Sequence, residues 1–176
     1  TSTYRFQLHP GFTLDDAAAA LPHLVRLGAS HAYLSPVLAA VPGSTHGYDV
    51  IDHDHVADHL GGEAAWARFT ERAQELGLGV VVDIVPNHVS IEGAHNRRWL
   101  DVLESGPSSE SADWFDIDWT GREELHRGVV VLPVLGDLYG ELLEAGELRI
   151  ERDGRRFGSV CPGHRFPLAP RSLPLV

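Results

Sequence analysis

Apolar positions recur with a period of two from Thr3 to Leu8, where Tyr4, Phe6 and Leu8 alternate with Arg5 and Gln7, and His9-Pro10-Gly11 ends the run. This spacing predicts a first strand closed by a turn. The period then lengthens to that of a helix: Leu14, Ala17, Ala18, Leu21, Leu24 and Val25 share a face, Thr13 stands at the cap, Asp15 and Asp16 complement the dipole, and Gly28 is the stop. Pro22 is expected to kink or split this helix. His31 to Ser35 reads as a second strand, at the separation of a βαβ crossover. Pro36 to Gly62 has little periodicity and many polar residues, which predicts a long loop, ordered through Tyr48, Val50, Ile51 and Val56. Glu63 to Leu76 is a second helix, with Ala64, Ala65, Trp66, Phe69, Ala73 and Leu76 available to pack and Gly77 at its end.

Gly79 to His88 breaks the alternation. Val80, Val81, Val82, Ile84 and Val85 form an apolar, β-branched run too short for a helix, as expected of a parallel strand covered on both faces. Asp83 lies in the middle of it and needs a partner, because burying an unpaired charge is prohibitive. Asn87 and His88 follow the carboxyl end of the strand, where α/β sheets and barrels place ligands.

The rhythm changes from Ile91. Asn96 to Leu103 reads as a short helix, Pro107 to Ala112 as a Ser-rich loop, and Asp113 to Trp119 mixes Trp114, Phe115 and Trp119 with three aspartates. Val129 to Leu135 is a further strand candidate, demoted to an edge or irregular piece by Pro133. Leu138 to Leu143 suits a helical turn or two, and Glu147 to Val160 alternates on both sides of Asp153-Gly154, a hairpin signature. The leading β-α-β-α-β order commits the sheet to being parallel and leaves both a doubly wound sheet and a barrel open. Residues 1–90 therefore read as one domain and 91–176 as an insertion of different character, ending in a Pro-rich tail.

Composition narrows the function. With 14 basic and 25 acidic residues the net charge is −11, which disfavours nucleic acid and anionic membrane and suits a neutral partner such as a sugar. No apolar run approaches the ~20 residues of a membrane span and no signal peptide is evident, so a cytoplasmic location is expected. One cysteine, Cys161, excludes an internal disulfide framework. The absence of methionine points to a fragment of a longer chain.

Two clusters follow successive strands and should open on one face: His46-Gly47-Tyr48-Asp49, and Asp83 with Asn87-His88. Tyr48 reads either as an aromatic platform under a sugar ring or as a loop anchor. Asp49 holds a hydroxyl or pairs with an arginine, and His88 is either a donor to a substrate hydroxyl or an ordinary loop histidine. Asp83 reads as a partner for an arginine more readily than as a catalyst. The run Asp49, Asp52, His53, Asp54, His55, Asp58 and His59 invites a metal. Its His-x-His pair falls mid-loop with no ligand geometry specified by the spacing, so no metal is assigned.

Asp83-Ile84-Val85-Pro86-Asn87-His88 resembles the first signature of the α-amylase family, glycoside hydrolase family 13, and His46-Gly47-Tyr48-Asp49 resembles the loop after the second barrel strand of that family. Thr3-Tyr4-Arg5-Phe6-Gln7-Leu8, residues 131–140 (Val-Leu-Pro-Val-Leu-Gly-Asp-Leu-Tyr-Gly) and His164-Arg165-Phe166-Pro167-Leu168 are similar to one subfamily, and that likeness spans essentially the whole chain. The resemblance implies an α/β fold, the N-terminal part of a TIM (β/α)8 barrel carrying its first three strands, with an inserted domain B that contains a β-hairpin. It implies that Tyr48 stacks on the glucose before the reacting bond, that Asp49 and His88 contact that glucose, and that Asp83, with Asn87, gives electrostatic and structural support, Asp83 pairing with an arginine from a later strand. The nucleophile, acid/base and transition-state-stabilising carboxylates of the family belong to later strands, so no catalytic residue is expected in this chain. No cofactor is implied, and nothing in the sequence supports assigning calcium. The substrate implied is a maltooligosaccharide or α-glucan. The subfamily points to an intramolecular transglucosylase that converts the reducing-end α-1,4 link to α,α-1,1, with water excluded by a wall to which Trp114, Phe115 and Trp119 are assigned. An α-glucan hydrolase and a non-catalytic sugar-binding remnant are the alternatives, and the fragment alone is expected to be inactive.

Overall fold

The computed structural model describes residues 1–92, 94–121, 127–154 and 156–170. The chain divides into two compact units, Thr1–Ser90 and Ile91–Val176. In the first, β1 (Thr3–Phe6), β2 (His31–Leu34) and β5 (Gly79–Val82) form a parallel sheet in the order β1-β2-β5, while β3 (Leu38–Ala40) and β4 (Val50–Val56) make a separate antiparallel pair. Helix α1 (Leu14–Arg26) links β1 to β2, and α2 (Gly62–Glu75) precedes β5.

Strand alternation decides which side chains meet the helices. Phe6, Ala32 and Leu34 share the face on which Val80 and Val82 also lie, and they pack with Leu14, Ala17, Leu21 and Leu24 of α1 and with Ala65, Phe69 and Ala73 of α2. Both helices therefore cover one face, and an Arg68 to Asp15 ion pair of 2.7 Å joins them. The opposite face carries Arg5, Tyr33 and Val81 in register. Sequential strand order with helices on one side is the winding of a barrel; a doubly wound sheet reverses its strand order and covers both faces.

Several expectations change here. Pro22 neither ends nor splits α1, which runs unbroken to Arg26; burial of Leu21 and Leu24 outweighs the one hydrogen bond a proline removes. Thr13 caps this helix by donating its N–H and its hydroxyl to Asp16 Oδ2, each at 2.8 Å. The stretch 36–62 is not a plain loop. It holds β3, β4 and a 3-10 turn at Asp58–Leu60, and β-bulges that shift the β3–β4 register erase the period-two pattern. Asp83 stands just past β5, not within it, although its N–H extends the ladder to Leu34 O at 2.9 Å. Val81 is 39% exposed and Ile84 64% exposed, so the apolar run is not covered on both faces; the helices reach only one.

The second unit starts from α3 (Arg97–Ser105), capped by Asn96 through a 3.0 Å bond from Trp99 N–H, with Trp99 and Val102 buried. Residues 129–135 form no strand: Val134 N–H turns back to Leu132 O at 3.0 Å around Pro133, which has no N–H to contribute to a ladder. Helix α4 covers Tyr139–Glu144. The expected hairpin is present as β6 (Arg149–Asp153) and β7 (Arg156–Cys161), with Asp153 opposite Arg156, so the reversal begins after Asp153 and Gly154 takes a φ of 60°. A third strand, β8 (His164–Pro167), pairs antiparallel with β7 in what the composition suggested was only a tail. Arg171 to Val176 lie outside the described residues.

Candidate active site

Four side chains meet at the carboxyl-end half of the parallel strands, two from within the strands and two from the segments that follow. Arg5 follows from the polar half of the β1 alternation, Tyr33 is its register partner on β2, and Asp83 sits two residues past Val81, hence on the same face. Tyr48 arrives from the β3–β4 connection. That connection is drawn tight by Ser44, which is buried, accepts from Gly47 N–H at 3.0 Å and donates to Asp49 Oδ1 at 2.5 Å. Val41 N–H to Asp49 O, 3.1 Å, closes its base. Gly47 has a φ of 76°, and a Cβ there would lie 2.8 Å from Pro36 O, so this position requires glycine.

The Tyr48 hydroxyl donates to Asp83 Oδ2 at 2.5 Å, while the Arg5 guanidinium donates to that hydroxyl at 3.0 Å and to Asp83 Oδ2 at 3.1 Å. The guanidinium also lies 4.7 Å from the centre of the Tyr33 ring. Asp83 is held below the usual carboxylate range, first by the Tyr48 hydrogen bond and then by Arg5 against the opposing effect of burial. The Tyr48 phenol is pushed up, chiefly because its proton is shared with Asp83. Among the described residues of this chain the arginine that pairs with Asp83 is Arg5 of the first strand, at 3.1 Å; the arginine that the resemblance implies belongs to a later strand.

His88 Nε2 lies 3.2 Å from Tyr48 O and its Nδ1 3.0 Å from Asn87 Oδ1, so His88 braces the Tyr48 loop. Asp49, beyond its bond to Ser44, has His46 Nδ1 at 3.7 Å. The two clusters that the sequence assigned to one face are thus joined at Tyr48. The histidine pair is on β4, not mid-loop: His53 Nε2 contacts Val85 O at 2.9 Å and His55 Nδ1 contacts Asp52 at 3.0 Å. No group of three metal-ligating side chains occurs among the described residues, and no helix among them is long and apolar enough to cross a membrane.

In the second unit, Arg98 stacks on Trp114 at 3.9 Å and Phe115 packs on Trp99 at 5.1 Å, so two of the three aromatic side chains assigned to a wall, Trp114 and Phe115, have partners within that unit. Reading the sequence alone missed Arg5 and Tyr33. The signal for Arg5 was its place in the period-two pattern of a strand expected to be parallel, where a polar face indicates a lined interior.

The cluster has a fixed cation, a fixed anion and an aromatic residue, Tyr48, that is 39% exposed with the His46 ring stacked at 6.0 Å between centroids. It contains no free nucleophile, and its carboxylate is already committed to two donors, which suits binding and orientation. Sequentially ordered parallel strands, helices on one face and a polar cluster at the strand ends on the other define a TIM-barrel-type α/β protein. The chain belongs to the alpha-amylase family, its residues 13–137 matching the alpha-amylase catalytic domain. It is 44% identical over 97% of its length to a Mycobacterium tuberculosis protein described as a maltooligosyl trehalose synthase, covering 22% of that protein. It is 32% identical over 88% of its length to the malto-oligosyltrehalose trehalohydrolase of Arthrobacter ramosus, covering 28% of that protein. The solved maltooligosyltrehalose synthase of Arthrobacter ramosus superimposes with a TM-score of 0.83 at 50% identity, over 96% of this chain and 21% of that one. The chain thus spans about a fifth to a quarter of the length of these relatives.

Proposed function

We propose that this chain is the N-terminal portion of a maltooligosyltrehalose synthase, an intramolecular transglucosylase that converts the reducing-end α-1,4 linkage of a maltooligosaccharide to α,α-1,1. The observation that carries this reading is the extent of the likeness. The family model ends at residue 137, whereas the likeness to the synthase from Arthrobacter ramosus covers 96% of the chain, both units included. Residues 1–90 are then the first barrel strands and 91–176 the inserted domain B.

In this reading Tyr48 stacks on the glucose before the reacting bond, with Asp49 and His88 touching that glucose, while Asp83 and Asn87 support the floor. The open face of the β1-β2-β5 sheet is the barrel interior. A retaining mechanism needs two carboxyl groups ~5–5.5 Å apart, one attacking the anomeric carbon and one protonating the leaving oxygen. Later strands supply both. The departing glucose then attacks the glucosyl-enzyme through its anomeric hydroxyl, and exclusion of water separates this outcome from hydrolysis.

Incubation of the full-length parent with maltopentaose tests the proposal. Reducing ends should fall while glucose stays a minor product. A sustained rise in reducing sugar would instead support an α-glucan hydrolase, the reading favoured by the 32% identity to a trehalohydrolase.

A further inference from the structure

We propose that Arg5 is the positioning residue of this site, the group that fixes the Tyr48 ring and the Asp83 carboxylate in one geometry for the reacting glucose. This inference rests on the function proposed above. Three elements that are far apart in sequence converge on its guanidinium. Two of its N–H groups point to different partners, one to Tyr48 Oη at 3.0 Å and one to Asp83 Oδ2 at 3.1 Å, while its plane covers Tyr33 at 4.7 Å. The Tyr48 hydroxyl therefore has its single proton directed to Asp83 and a lone pair directed to Arg5. With both ends of the hydroxyl engaged and the His46 ring stacked at 6.0 Å between centroids, the ring is held by its rim while the residue stays 39% exposed.

Geometry and energetics both argue for positioning over a purely structural ion pair. The Arg5 and Asp83 side chains remain 34% and 20% exposed, and pairs that reach solvent add little to stability. A planar fork that addresses two acceptors at once is a property of arginine; lysine offers a point charge and would satisfy one partner at a time. β1 is held by its backbone pairing with β2, and the segment just past it is tied by Leu8 N–H to Ser35 Oγ at 2.8 Å, so β1 does not depend on Arg5 for its attachment.

The test uses the full-length parent with Arg5→Met, which keeps the stem over Tyr33 and removes the fork, alongside Arg5→Lys, Tyr48→Phe and the double variant. Misplacement of a substrate-positioning group by about 1 Å lowers rates by about 100-fold. The expected result is a 10- to 100-fold fall in kcat for Arg5→Met with KM within about 3-fold and the melting temperature nearly unchanged, and a partial rescue by Arg5→Lys. Arg5→Met added to Tyr48→Phe should lower kcat by clearly less than the product of the two single losses, because the hydroxyl through which Arg5 holds the ring is already gone while its direct bond to Asp83 is lost only when Arg5→Met is added. An unchanged kcat in Arg5→Met, or full multiplication of the two losses, overturns the proposal. Should Arg5→Met fail to fold, Arg5→Lys decides: wild-type kcat overturns the role and an intermediate value upholds it. A parent that releases reducing sugar refutes the synthase reading alone, since the same coupling is then read on its hydrolytic rate.

Discussion

Tyr48 illustrates how one atom can set a local electrostatic balance. Its hydroxyl gives its proton to Asp83 and receives one from Arg5, so a carboxylate that stands near an open surface behaves as a committed acceptor. The folded-state pKa of Asp83 is depressed. Such a group contributes stability that is present above the unfolded carboxylate value of about 3.9 and is lost as pH falls through the lower folded value. Asp83→Asn is accordingly expected to be less stable than the unaltered protein at pH 7, with the gap closing below about pH 4. Denaturant midpoints of both proteins across pH 3 to 7 measure this, and a gap independent of pH would count against it. Much of this cluster could be read before any coordinates. A carboxylate adjoining an apolar run demands a partner, and the strand order brings the Tyr48 and His88 loops to one end. Arg5 was visible only as the polar half of a period-two pattern, a signal that gains weight once the strand is taken as parallel, and the pattern does not name the partners it meets.

At the level of elements, close packing of β2 on β5 depends on a missing side chain. Gly79 faces His31 across the ladder, and a Cβ there would stand 2.3 Å from His31 Cδ2. The imidazole cannot simply swing away, because its Nδ1 sits 2.8 Å from Ser30 Oγ. Gly79→Ala should therefore destabilise the parent by about 1–3 kcal/mol, the usual range for overpacking, as read from the shift in denaturant midpoint; an increase in stability would refute the account. The strongly periodic elements α1, α2 and the β6–β7 hairpin were legible from the sequence, because burial of one face dictates their spacing. The β3–β4 pair was not: its bulges move successive residues off a common face, and Asp52, Asp54 and His55 have no buried counterpart to mark a strand. Pro133 and Pro167 differ in what they signal: the first demotes its run to an irregular piece, and the run is irregular, while the proline-rich reading of the second hides a strand. The first lies where no ladder forms, whereas the second ends an edge strand that needs no N–H from it.

In the molecule as a whole, taken as the 176-residue chain alone, the parallel sheet has two unpaired edges, β1 and β5, among the described residues, next to the exposed Val81 and Ile84; in the proposed parent, neighbouring barrel strands pair with these edges. Unpaired edges and open apolar surface favour association, while a net charge of −11 opposes it. The balance should depend on screening, whose range falls from about 10 Å at 0.1 M salt to about 3 Å at 1 M. Light scattering of the 176-residue chain should thus show self-association that grows with concentration and with salt; a monomer under all conditions would show that the edges are protected in some other way.

The strands lie side by side in the order in which they are made. Each of these three parallel strands can dock on its predecessor as it leaves the ribosome. The Arg5–Asp83 contact is an exception, because its two residues are 78 apart in the chain. At the usual pace of synthesis, about 5–20 residues per second, the guanidinium precedes its carboxylate by about 4–16 s. Assembly of the site is thereby timed: its anchor is laid down first, and the contact that completes it reports that the third parallel strand has been added in register.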